Sequence, residues 1–240
     1  MFYDRAVASG NTAALPKYLL LFGRGSFDNR KILSDSGDNL VLTYQAENSL
    51  IETYAYTTDD YFTFLEDKEG LQVPSHTMDV AVGRFPVTTV QQATDVVNKT
   101  INYMNNTGKG KWKRELCFVG DDGDFNTHMK MADSLASYIN NNHKLYRTNK
   151  IYLDAFKKDS IEIMGRYPAV KDSLLSALQN GLLLLNYTGH GGSQFWANEQ
   201  ILTNTDITRL ANEHLPLWFG ATSDFVKSDS KNVSAGENVL

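Results

Sequence analysis

The chain has 240 residues, 42% of them hydrophobic and 21% charged, with a net charge of −5, a balance that fits an ordinary folded domain and excludes a disordered or membrane-buried chain. Its lysines and arginines are scattered, which leaves no basic footprint for nucleic acid or an anionic membrane. A single cysteine, Cys117, excludes an internal disulfide, and the longest apolar run is far below a membrane span.

Short apolar runs bounded by Gly, Asp or Asn alternate with longer segments of helical period. That alternation predicts an α/β protein with a mostly parallel sheet. In chain order the strand candidates cover residues 17–23, 78–84, 115–121, 144–153, 181–187 and 215–221. Several are apolar on both faces, as buried parallel strands are. The first long helix, within 87–106, opens on threonine caps and spaces Val90, Val97, Ile101 and Met104 so that one stripe should face a core. A second follows over 126–141. A third, over 167–181, opens on Pro168 and closes on Gly181, and a short helix within 203–212 leads into the last strand. The loop 105–113 is the expected hinge between an N-terminal lobe, residues 1–108, and a C-terminal lobe, residues 109–240. The opening MFYDRAVASG lacks the apolar region of a secretory signal, as would a cytoplasmic protein or an internal piece of a longer exported one. The closing SAGENVL reads as the start of an apolar helix, so a piece of a longer exported protein is expected.

In open α/β sheets ligands bind beyond the carboxyl ends of the strands. The run GLLLLNY leads there into Thr188-Gly189-His190-Gly191-Gly192, and LPLWFGA leads into Thr222-Ser223-Asp224. Glycines around His190 would let a substrate backbone approach, and the amide of Gly191 could meet an oxyanion. His190 could then act as general acid and base toward a nucleophile, with Ser223 the hydroxyl in the expected place. The alternative is a hydrogen-bonded structural histidine and a serine in an ordinary turn.

Other polar motifs carry paired readings. Asp121, Asp122 and Asp124 cluster after a strand end, and their oxygens would suit calcium. The glutamate of a calcium-binding helix-loop-helix is absent, so a solvated loop is the simpler reading. GRGSFDNR, residues 23–30, lacks the phosphate-loop lysine and spacing and reads as a tight turn at a cleft rim. TTDDYF, residues 57–62, either contributes to a substrate cleft or caps a short helix with Asp59. Trp196 either walls the site or folds over the sheet edge. His76, His128, His143 and His214 show no paired-ligand spacing, so no zinc site is expected.

The phrases NYTGHGG followed by W, the later strand with AT-x-x-F, and the earlier YLLLFGRGSFDNR, TYAYTTDDYFTFLE and MDVAVGRFPVTT together resemble the gingipain family of cysteine peptidases over nearly the whole chain. The resemblance implies a caspase-like three-layer α/β/α fold and a peptidase acting on protein or peptide substrates. It implies His190 as the catalytic base, Asp79 as the carboxylate that orients it, with Asp60 a competitor, and an oxyanion hole from the amides of Gly191 and residue 223. It further implies a substrate cleft involving Asp60, Tyr61 and Trp196, a structural calcium ion with no cofactor required, and a role in type IX secretion at a bacterial outer surface. The family carries cysteine where this chain has Ser223, and Cys117 lies inside an apolar strand. A serine hydroxyl is far harder to deprotonate than a thiol, so low or absent activity is expected. The alternative is a non-catalytic domain that holds exported proteins or secretion partners.

Overall fold

The computed structural model describes residues 2–34, 36–47, 55–105, 108–159 and 165–240. Two compact units emerge, one from Met1–Lys99 with Ser228–Asn232, the other from Thr100–Lys227 with Val233–Leu240. The division falls inside a helix. The expected boundary was the loop 105–113, of which residues 106 and 107 lie outside the described residues and Lys111–Arg114 forms a 3-10 turn.

In the first unit, α1 (Phe2–Ala8) precedes β1 (Tyr18–Phe22), β2 (Tyr44–Gln45), β3 (Thr57–Thr58), β4 (Ala81–Phe85) and α2 (Val90–Asn105). Strands β1 and β4 pair in parallel, Tyr18 opposite Ala81, while β2 and β3 form a short antiparallel pair. Polar anchors hold these pieces. Arg84 bonds both carboxylate oxygens of Asp59, at 2.9 and 2.7 Å, and donates to the carbonyls of Gly23, Val41 and Leu42. The turn after β1 is packed: a Cβ on Gly25 would lie 2.4 Å from Thr43 Cγ2. Arg24 reaches the Asn232 carbonyl at 3.0 Å, and the Asp28 carboxylate accepts the N–H groups of Ile32 and Leu33. These backbone donors hold Asp28 below the usual carboxylate range.

Helix α2 starts as the threonines predict. Thr89 Oγ1 accepts the Gln92 N–H at 3.1 Å, and Gln92 Oε1 accepts the Thr89 N–H at 3.3 Å, a reciprocal cap. The expected inward stripe is a miss: Val90, Val97, Ile101 and Met104 are exposed, and Val96 is the buried residue. Helical spacing identifies a face but not its partner, and packing turns this helix by about one residue.

The second unit carries β5 (Glu115–Gly120), α3 (Thr127–Asn142), β6 (Arg147–Tyr152), α4 (Pro168–Asn180), β7 (Leu184–Thr188), β8 (Gly191–Gly192), β9 (Phe195–Trp196), β10 (Leu202–Thr203), α5 (Asn204–Ile207), β11 (Leu217–Ala221) and α6 (Ala235–Val239). Its main sheet is wholly parallel, in the order β11-β7-β5-β6. Alternation along β5 divides the core between two faces. Cys117 and Val119 pack with Val170, Leu174 and Leu178 of α4, whereas Leu116 and Phe118 pack with Ala136 of α3. Helices on both faces make the three layers expected. Truncating a fully buried member such as Leu185 to alanine should cost about 2–5 kcal/mol.

Candidate active site

Three neighbouring parallel strands deliver polar residues to one rim of the second unit. Register sets their depth: Thr188 lies opposite Gly120 on one side and Ala221 on the other. Asp121 is the first residue past β5, and its N–H donates to the Thr188 carbonyl at 3.1 Å. His190 is the second residue past β7, and Ser223 the second past β11. The Gly189 N–H donates to the Ala221 carbonyl at 3.1 Å, which carries the pairing one step beyond the strands.

The glycines are dictated by crowding. A Cβ on Gly189 would lie 2.2 Å from Asp121 Cβ and 2.6 Å from the Tyr187 hydroxyl. On Gly191 it would lie 2.2 Å from Thr222 Oγ1 and 3.2 Å from the Ser223 carbonyl oxygen. The loop after His190 therefore lies directly against Thr222 and the backbone of Ser223. Gly191 and Gly192 pair with Trp196 and Phe195 in a small antiparallel hairpin.

His190 is clamped at several atoms. Its Nδ1 lies 3.0 Å from Asp121 Oδ2, and its backbone N–H donates to the same oxygen at 2.9 Å. Its carbonyl accepts the Tyr187 hydroxyl and the Ala197 N–H, and Tyr187 is stacked on Trp196 with ring centroids 4.3 Å apart. Asp121 is 2% exposed; loss of solvent raises its carboxyl above the ordinary value, against the lowering effect of the two His190 bonds. A buried carboxylate on Nδ1 fixes the ring plane and favours the tautomer with the proton on that nitrogen. The imidazole's other edge is open, with the side chain 46% exposed and Nε2 3.1 Å from Asp124 Oδ2. Asp124 Oδ2 also lies 3.1 Å from His128 Nε2, and the two histidine rings meet edge to face at 4.9 Å. Three successive left-handed residues, Asp124, Phe125 and Asn126, turn the chain into α3 here.

Sequence reasoning gave the orienting role to Asp79 or Asp60. The structure corrects this: Nδ1 belongs to Asp121, while the Asp79 carboxylate, in the first unit, accepts the Leu65 N–H at 2.8 Å. Asp60 starts a 3-10 turn, and Tyr61 stacks on Tyr44 at 4.5 Å. Asp59 sits at the cap position of that turn, yet its carboxylate bonds Arg84. The signal for Asp121 was present in the sequence, since it follows the apolar run of β5 as His190 follows that of β7.

The acidic trio is also dispersed. Asp121 faces His190, Asp124 faces both histidines, and Asp122 accepts the Tyr167 hydroxyl at 2.8 Å. Carboxylate oxygens of Asp121, Asp122 and Glu199 do converge, but the Lys158 ammonium stands there, 2.6 Å from Glu199 and 3.5 Å from Asp122. That ammonium offsets part of the negative charge gathered there. Trp196 is 1% exposed, in the core with Trp218 and Phe225. It also backs a cavity of about 380 Å³ that Thr222, Asp224, Phe225 and Gly236 help line, beside Ser223. Ser223 itself is exposed. Cys117 is fully buried, and burial pushes its thiol up to about 12, which removes it as a nucleophile.

A mostly parallel sheet between helix layers, with a carboxylate-held histidine and Ser223 at adjacent strand ends, is the architecture of a caspase-like fold. The model of peptidase family C25 matches residues 1–240, and the chain belongs to that family. Among solved structures it is similar to the Arg-specific cysteine proteinase gingipain R (RgpB), with 16% identity, a TM-score of 0.63, and coverage of 97% of this chain and 46% of that one. It is similar also to the complex of Porphyromonas gingivalis RgpB pro- and mature domains, at 16% identity and a TM-score of 0.60, covering 90% of this chain and 43% of that one. The chain thus spans less than half the length of either. No curated protein sequence matches it.

Proposed function

We propose that the second unit performs, or descends from a unit that performed, acyl transfer at a peptide bond, with His190 as general base and acid and residue 223 as nucleophile. The observation that supports this most is the adjacency of three strand ends. Asp121 holds Nδ1 of His190, Nε2 faces the exposed Asp124 carboxylate, and the backbone of Ser223 lies against Gly191. In the forward step Nε2 takes the proton of the attacking group as the new bond to the carbonyl carbon forms. It then gives that proton to the departing amine as the peptide bond breaks, leaving an acyl ester that water or a second amine resolves. Asp124 can attract Nε2 only when the ring carries both protons, so its carboxylate stabilises the imidazolium formed in the first step. The amides of Gly191 and Ser223 are the proposed oxyanion donors. The cavity beside Ser223 is the proposed seat of a substrate side chain.

The sequence phrases shared with the gingipain family also resemble those of the PorU-type sortases of type IX secretion. On that reading the substrates are exported proteins whose C-terminal signals are removed at the outer surface of a bacterium. The amine that resolves the acyl ester would then be supplied by an envelope anchor. A hydroxyl in a site suited to sulfur lacks a ready route to its anion, and we infer that the chain as it stands is slow or silent. This favours a second reading, in which the cleft holds exported proteins or secretion partners without cutting them.

Ser223→Cys separates the two. With a peptidyl acyloxymethyl ketone probe, the variant should label at the introduced thiol, and His190→Ala in the same background should abolish labelling. A variant that stays unlabelled while binding a C-terminal signal peptide would favour the holding role.

A further inference from the structure

We propose that Asp124, His128 and His190 form a binding site for a divalent transition-metal ion, with zinc the best fit, and that an ion there switches the proposed active site off. The two histidine Nε2 atoms each lie 3.1 Å from the same Asp124 Oδ2, and all three donor atoms lie within 4.8 Å of one another. Zinc bonds of roughly 2.0–2.1 Å in a tetrahedron put neighbouring ligand atoms about 3.3 Å apart, so two of the three edges already have the length the ion needs. Two imidazoles and one carboxylate are a donor set that zinc accepts and that calcium or magnesium does not favour.

A separate observation points the same way. His190 engages the buried Asp121 through Nδ1 at 3.0 Å, the carboxylate-histidine arrangement that commonly orients an imidazole toward zinc. Asp124 lies in the left-handed turn just before α3, and His128 is the second residue of that helix. The site is open: side-chain exposure is 58% for Asp124, 46% for His190 and 23% for His128. An ion would therefore keep a fourth position for water. The sequence conceals this arrangement because its ligands come from two separate strand-end loops and match no short motif.

The consequence for the enzyme rests on the reading of His190 as base. An ion on Nε2 occupies the lone pair that must take the nucleophile's proton, so metal and catalysis exclude each other. Metal binding itself rests on no such reading.

The test is titration calorimetry of zinc chloride into the chelator-stripped 240-residue chain. A stoichiometry of one is expected, with affinity falling at least tenfold in His128→Ala and in Asp124→Asn, each checked for folding by circular dichroism. Absence of binding at millimolar zinc, or unchanged affinity in both folded variants, would overturn the site. In the Ser223→Cys background zinc should stop probe labelling, EDTA should restore it, and His128→Ala should label despite zinc. Equal inhibition of the His128→Ala protein would overturn the switch. His128-dependent binding that leaves labelling untouched would uphold the site and count against His190 as the base.

Discussion

Each unit places a carboxylate against a nitrogen-rich side chain near the end of a parallel strand, and the two pairs do different things. In the first, Arg84 spends its guanidinium on Asp59 and three carbonyls, and arginine never gives up its proton. Nothing is left for a substrate, so the pair ties loops to a strand. In the second, the buried Asp121 holds one nitrogen of His190, and the other faces the exposed carboxylate of Asp124 at the protein surface. The difference is one of accessibility and titration: a half-exposed imidazole can take up and release a proton at its outer nitrogen, whereas the guanidinium of Arg84 cannot.

The comparison can be broken by substituting each pair. In the Ser223→Cys background, Asp121→Asn should lower the rate of probe labelling by about 10²–10⁴-fold with little change in circular dichroism; a near-normal rate would mean that Asp121 does not orient the base. Arg84→Met should act in reverse. Leaving Asp59 and three carbonyls without their donor should cost about 3 kcal/mol by urea unfolding, while labelling per folded molecule is retained. A folded Arg84→Met protein with lost labelling would erase the contrast.

Gly189→Ala tests the crowding behind the rim. A Cβ so close to Asp121 and Tyr187 should cost about 1–3 kcal/mol and also slow labelling, because the atoms that move are those that hold His190. The smallest effect concerns Asp28, whose carboxyl is held below its ordinary value by backbone donors. Its contribution is present above the unfolded value of about 3.9 and is lost as pH falls through the lower folded value. The melting difference between the wild-type chain and Asp28→Ala should therefore be largest near neutral pH and shrink in strong acid.

Much of this architecture is legible in the amino-acid string, for identifiable reasons. Buried parallel strands announce themselves as apolar runs, and Pro168 and Gly181 bracket α4 because each suits only its own end of a helix. His190 and Ser223 stand out through the strand-end rule. The exposed stripe of α2 was misread because periodicity cannot say which side finds a partner. Asp121 was missed for a different reason: three nearby carboxylates suggested a metal loop, whereas the fold gives each a different neighbour. His128, on the first turn of α3, meets His190 in the loop after β7, a tertiary contact that no local spacing encodes.

In the proposed mechanism His190 acts on whatever stands at residue 223. This is tested most directly by the pH dependence of iodoacetamide alkylation of the Ser223→Cys protein, with Cys117 silent because it is buried and its thiol is pushed up to about 12. An isolated thiol ionises near 8.5, and a neighbouring imidazole lowers that value. A half-maximal rate well below pH 8.5 is expected, returning to about 8.5 when His190→Ala is added. The same profile, centred near pH 8.5 with and without His190, would contradict that mechanism.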